Sequence, residues 1–286
     1  MQSSFLSTTL LPIALGIIML GLGLALSIDD FKRIVKYPKA VAIELICQMV
    51  LLPAICFFVA KIFGLEPVLA VGLMLLAASP GGATANLYSH LSDGDVALNI
   101  TLTAVNSVLT LFTLPLVVNF SLAHFMTSDQ YVPMQFAKVA EVFMIVLMPV
   151  TLGMLLKSKL PAFAAKMDKS VKILSSVFLI LIIITAVYRE RVILTEHFGA
   201  IGFPVLVFNL LSMGLGYYLP QVWRVEKKQA VAIGMEIGIH NGTLAIFIAL
   251  SVLNNSIMSV PAALYSILMF FTAALFGYLV KRNKVV

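Results

Sequence analysis

The chain has 286 residues, of which 61% are hydrophobic and only 11% charged, with a mean hydropathy of +1.05 and a formal net charge of +6. A soluble domain would need roughly 25% charge to cover its surface, so the composition excludes a soluble globule and predicts a polytopic membrane protein. In that setting the positive balance is read first as a topology signal rather than as a nucleic-acid surface, and no nucleic-acid partner is expected.

Apolar stretches long enough for a hydrocarbon core of roughly 30 Å fall at about 7–28, 38–60, 67–91, 95–120, 133–156, 170–188, 197–219, 229–253 and 259–280, which predicts nine transmembrane helices in an all-α fold. The opening stretch MQSSFLSTTLLP lacks the basic segment of a secretory signal, and the first span is expected to be retained. Cationic loops are held on the cytoplasmic side. Under this partition, the segments 32–39, 157–172, 224–228 and 281–284 hold all of the 19 Lys and Arg residues except Lys61, Lys138, Arg189 and Arg191. The bias predicts an outer N-terminus and a cytoplasmic C-terminus in a cell membrane. Cys47 and Cys56 lie nine residues apart in one apolar run and point to different helix faces, which argues against a disulfide.

Most spans are plain Leu, Ile, Val and Phe. Span 3 differs, because AASPGGATANLYSHL places Pro80, Gly81 and Gly82 where the hydrogen-bond ladder should open near mid-membrane. Span 8 differs too, with Gly238 and Gly242 bracketing His240 and Asn241 in EIGIHNGTL. Freed backbone groups persist at membrane depth only where they line a cavity or are satisfied by polar neighbours or ions. Span 3 is third of the set 1–4 and span 8 third of the set 6–9. The offset of five is odd, which predicts an inverted repeat with two broken helices crossing at the midplane.

Polar side chains gather at those breaks: Thr84 and Asn86 on span 3; Asn99, Thr101, Thr103 and Asn106 on span 4; Glu236, His240, Asn241 and Thr243 on span 8; and Gln48 midway along span 2. A carboxylate at membrane depth faces a cavity, a partner or an ion. Glu236 reads as the only carboxylate well inside a span without a cation in its own helix. Glu44, which shares a face with Gln48, is placed nearer the cytoplasmic end, where it reaches water, and Glu141 reads as a surface partner of Lys138. Carboxylate, amide, hydroxyl and carbonyl oxygens form a hard donor set that suits Na⁺, whereas zinc would want several His or Cys. Thr103 and Asn106 taken singly fit interhelical hydrogen bonding. His240 has three open roles: a hydrogen bond to Glu236, proton carriage, or contact with the cation. The half-helix N-terminus around Ser79–Asn86 favours an anionic substrate group. An enzyme is not expected, since its nearest nucleophile and base, Ser79 and His90, are separated by a helix break.

At these residues the chain resembles the bile acid:sodium symporter family, through SPGGATANLYSHLSDGDVALNITLTAVNSVLT (79–110) and EIGIHNGTLA (236–245). The resemblance implies a single transporter domain. Its panel would be spans about 7–28 and 133–188, and its core spans about 38–120 and 197–280. It implies one sodium at Asn86, Asn99, Thr103 and Glu236, and a second between Gln48, Glu236, the carbonyls of the span 8 break and His240. Substrate, a small organic anion, would bind near Asn241, Thr84, Asn86 and Gly242. The family commonly has Gln where His240 stands, Ser where Ala85 stands and Ser where Asn99 stands, which leaves open one sodium, two, or sodium plus a proton. The expected function is sodium-coupled symport by a monomer in the lipid bilayer, with a proton-coupled or efflux-type carrier as the alternative and a membrane enzyme or sensor behind both.

Overall fold

The computed structural model describes residues 11–127, 134, 136–189 and 191–282. The side chains of Lys138 and Glu141 lie outside that description, as do residues 1–10 at the start of the first span. Every named element is helical, the expected outcome for a chain whose backbone polar groups must be satisfied within each apolar segment.

The helices in chain order are α1 (Leu11–Ala25), α2 (Ile28–Lys32), α3 (Pro38–Ile46), α4 (Leu52–Ile62), α5 (Pro67–Ala77), α6 (Thr84–Leu91) and α7 (Val96–Phe125). They continue with α8 (Phe136–Lys159), α9 (Pro161–Arg189), α10 (Arg191–Val222), α11 (Lys227–Gly238), α12 (Gly242–Phe247) and α13 (Val260–Arg282). Each of the nine predicted apolar stretches falls on one helix or on a broken run of them. By length and apolarity, four helices among the described residues qualify as membrane crossings: Pro38–Ile62, Val96–Phe125, Gly199–Val222 and Ile257–Arg282. A fifth is the pair Pro12–Ala25 and Ile28–Val35, bent by 70°.

That bend has a local cause. Ser27 leaves the helical region, and Asp30 accepts from both its backbone N–H and its hydroxyl at 2.7 Å, so a new helix starts at Ile28 in another direction. Span 2 is irregular in a subtler way. α3 passes into α4 through a π-helical turn, Cys47–Leu51. Pro53, lacking an N–H and crowding the carbonyl four residues back, sits just beyond that turn. The turn carries Gln48.

The two predicted breaks are present, and each supplies the other's missing hydrogen bonds. Between α5 and α6 the chain runs unwound through Ser79–Ala83; between α11 and α12 it does so at Ile239–Asn241. Gly82 N–H donates to Ile239 O at 2.7 Å, Asn241 N–H donates to Pro80 O at 2.8 Å, and Gly81 pairs antiparallel with His240. Two short extended strips thereby satisfy backbone groups that would otherwise be orphaned at depth. Around this crossing, α5 packs on α7, α11 on α6 and α7, and α10 on α11 and α13, while α1 packs chiefly on α8 and α9. Cys47 and Cys56 are both buried and unbridged.

Candidate ion and substrate site

Glu236 lies on α11, half a turn before the helix ends at Gly238, and is fully buried. Its carboxylate accepts from the Thr103 hydroxyl at 2.7 Å (Oε2) and, more weakly, from Asn106 Nδ2 at 3.4 Å (Oε1). Among the described residues no Lys or Arg is a partner of it. The backbone of Gly81 passes so close that a Cβ there would collide with the carboxylate, so the span 3 break lies directly against the acid. Asn99 reaches α11 as well, through Nδ2 to Ala232 O at 2.8 Å, while the Thr103 hydroxyl also lies 3.0 Å from Asn99 O.

Glu44 corrects the sequence reading. Far from reaching water, it is fully buried, and its Oε1 accepts from Asn106 Nδ2 at 2.7 Å. Glu236 is therefore not the only carboxylate deep in the bundle. One neutral amide, that of Asn106, joins both acids. α7, α10 and α11 all pack on α3, the helix that carries Glu44.

His240 is also differently placed from the first expectation. α11 ends at Gly238, so Glu236 and His240 do not share a helix face. The ring Nδ1 lies 3.2 Å from Ser79 O rather than against Glu236. A carbonyl only accepts, so in the neutral ring Nδ1 carries the hydrogen and Nε2 is the bare acceptor. The ring stacks on Phe208 at 6.0 Å and tilts against Tyr265 at 5.3 Å. Gln48 donates Nε2 to the same Ser79 carbonyl at 2.9 Å. The Ser79 hydroxyl is bonded to Leu76 O, and His90 is exposed on α6, so these two form no nucleophile and base pair.

Asn86 is half-buried, with Nδ2 at a long 3.5 Å from Ala83 O and no hydrogen bond to Glu236; Thr84 is half-exposed at the start of α6. Asn241 caps α12, accepting from Leu244 N at 3.1 Å, and Gly242 begins that helix hard against Ser266. Asn241 and Pro80 also line a cleft with Ser107 and Thr110 of α7 and Met19 of α1. Its lining is mostly apolar, with Ser107, Thr110 and Asn241 as the polar members. Sequence reasoning missed two further residues: Asn209 Nδ2 and the Tyr265 hydroxyl both donate to Gly238 O, at 3.1 and 2.9 Å, and cap the carbonyl that the break exposes. Asn209 alone carried a signal, as a lone amide in an apolar span.

The side-chain oxygens left over are informative. Asn86 Oδ1, Asn99 Oδ1, Asn106 Oδ1, Gln48 Oε1 and Glu44 Oε2 are all buried and accept no hydrogen bond. Unsatisfied buried acceptors are uncommon in folded proteins and call for a donor or a cation. Among the described residues no group of three His, Cys, Asp or Glu gathers as a metal site, and the donors here are hard oxygens.

A rice chloroplastic protein named probable sodium/metabolite cotransporter BASS2 is 26% identical over 261 residues, covering 91% of this chain and 61% of the relative. A Bacillus subtilis protein named uncharacterized sodium-dependent transporter YocS is 27% identical over 258 residues, covering 90% and 78%. The human P3 protein is 28% identical over 228 residues, covering 78% and 47%. The chain thus spans about three fifths of the rice relative's length. Residues 12–197 match the model of one family, and the chain belongs to it: the Sodium Bile acid symporter family, whose members are transporters and not enzymes.

Proposed function

We propose that this protein is a secondary transporter that couples inward sodium movement to uptake of a small organic anion by alternating access. The observation that carries this reading is a fully buried Glu236 with, among the described residues, no cationic side chain bonded to it, set among buried oxygens that no donor satisfies. A monovalent cation resolves both problems at once. Sodium would be held by Glu236, Thr103 and Asn99, with Asn86 able to close the shell. Relatives named as sodium-dependent or sodium/metabolite transporters support the choice of ion. Inward sodium gains about 2.3 kcal/mol per charge for each 100 mV of potential, before any concentration gradient is added.

The anion would enter the cleft that Asn241, Pro80, Ser107 and Thr110 line. Once Asn241 Oδ1 has capped α12, its amide nitrogen remains as a donor. The proposed architecture is nine spans in an inverted repeat, with α1, α8 and α9 as a panel against which the other helices move. Its setting is a cell membrane, as a monomer, with the N-terminus outside.

The decisive test is thermal stabilisation of the purified full chain by sodium chloride against choline chloride, followed by a screen of organic anions in both salts. Sodium should stabilise wild type, and Glu236→Ala should lose that response while still inserting. An unchanged response in the variant would refute the assignment. A proton-driven carrier is the second reading, favoured by the unpartnered Nε2 of His240. It predicts uptake that survives choline replacement at fixed pH.

A further inference from the structure

The bend after α1 leaves a short helical segment whose outward face stays bare among the described residues. Ile28–Val35 turns away from Pro12–Ala25 by 70°. Membrane helices tilt by about 20° on average, so a segment at that angle to a span runs much closer to the plane of the bilayer than to its normal. It is tethered at both ends, by α1 before it and by α3 from Pro38 onward. The two faces of the segment differ. Phe31 and Ile34 pack inward on the core, and Asp30 is buried. Outward, Ile28 is 65% and Val35 84% exposed, and Lys32, Lys36 and Lys39 are exposed beside them. Ile28 and Val35 are about two turns apart and so share one stripe. Large apolar side chains interspersed with lysines on one face of a helix suit the boundary between headgroups and acyl chains, where the apolar bodies sink and the ammonium groups reach up.

The charge on that face is positive rather than balanced. Both acids of the segment are engaged within it: Asp29 pairs with Lys32 at 2.9 Å, and Asp30 takes Arg33 at 2.7 Å together with the Ser27 N–H and hydroxyl. Among the described residues, Lys36 and Lys39 meet no carboxylate. The Lys36 ammonium lies 5.4 Å over the ring of Tyr37, a contact that positions its charge without neutralising it. At the other end of the bend, Lys157 brings a further cation to Ala25 O at 2.5 Å. A second copy of this chain would set these lysines against their own equivalents across a two-fold contact, which like charges oppose. An anionic headgroup above a layer of hydrocarbon matches both the charge and the apolar stripe.

We propose that residues 28–39 form a binding surface for anionic phospholipid, with Ile28 and Val35 in the acyl boundary and Lys36 and Lys39 at the headgroup phosphate. The segment joins α1, which packs chiefly on α8 and α9, to α3, which packs on α7, α10 and α11. A bound headgroup would therefore hold at fixed depth the joint between two groups of helices. This surface is independent of the ion and substrate assignments above.

The test places a fluorophore on Val35→Cys in the full chain, where Cys47 and Cys56 are buried and leave residue 35 as the thiol to label. The chain is reconstituted in nanodiscs of mixed phosphatidylglycerol and phosphatidylcholine, and quenching is compared with one lipid or the other brominated. Both leaflets carry both lipids, so the outcome does not depend on which membrane face the segment occupies. Brominated phosphatidylglycerol should quench in excess of its share of the mixture. Adding Lys36→Gln or Lys39→Gln should lower that preference about fivefold each. Adding Asp29→Asn, which frees Lys32, should raise it. Absence of quenching by either lipid, equal quenching by both, or a preference unchanged by both lysine variants overturns the lipid surface. So does displacement of the quenching lipid by soluble glycerol phosphate, which marks a site for free anions, or self-quenching between labelled chains, which marks a second copy on this face.

Discussion

Thr103 has one hydroxyl hydrogen and two acceptors within reach, Glu236 Oε2 at 2.7 Å and Asn99 O at 3.0 Å. When sodium occupies the site, the same hydroxyl can turn its hydrogen to Asn99 O and its lone pairs to the ion. Thr103→Val preserves the shape and removes that choice, and should weaken sodium binding about tenfold, or ~1.4 kcal/mol. Titrating the melting temperature with sodium measures this, and a midpoint within twofold of wild type would take Thr103 out of the site. Glu236, Asn99 and Thr103 were legible in the sequence because each is a polar residue at mid-span. Glu44 was not. Its nearness in sequence to the basic segment 32–39 suggests contact with water, whereas its partner is Asn106, 62 residues away, and α7, α10 and α11 pack on its helix. The same limit applies to His240, whose partner is a carbonyl of the opposite break, 161 residues away.

At the scale of elements, the breaks announced themselves through Pro80, Gly81, Gly82 and Gly238, because missing donors and missing side chains are properties of single residues. Their mutual pairing, by contrast, is a property of two segments meeting, and no local pattern encodes it. The π turn at Gln48 hid inside an unbroken apolar run, with only Pro53 as a hint. Gly81 tests the crossing directly. A methyl group there would meet the Glu236 carboxylate, whereas one at Gly199 would meet nothing within 4 Å. Gly81→Ala should therefore cost about 1–3 kcal/mol as overpacking, and the displaced carboxylate should bind sodium less well. Gly199→Ala should leave both stability and sodium response at or slightly above wild type, since alanine favours helix. Equal behaviour of the two variants would mean that the span 3 break does not press on the acid.

The whole molecule raises the question of how many times the chain crosses the bilayer. Charge partition favours nine crossings. Among the described residues four or five helices meet the criterion of length and apolarity, and a broken helix fails such a test on length even when it crosses. Lys61 and Lys159 decide the point, being exposed at the two ends of a stretch that contains the α5–α6 pair, α7 and α8. If the broken pair crosses fully, three crossings separate the two lysines and they face opposite sides. If it instead enters and returns on one side, only two do, and they face the same side. Cys47 and Cys56 are both buried, so the background for thiol labelling is low. Lys61→Cys should react with a membrane-impermeant maleimide in intact cells, and Lys159→Cys only after the membrane is opened. Labelling of both from one side would make the span 3 break a re-entrant loop, and the inverted repeat would fall with it. The converse pattern, Lys159→Cys outside and Lys61→Cys inside, would keep the crossings but reverse the orientation that the basic loops imply.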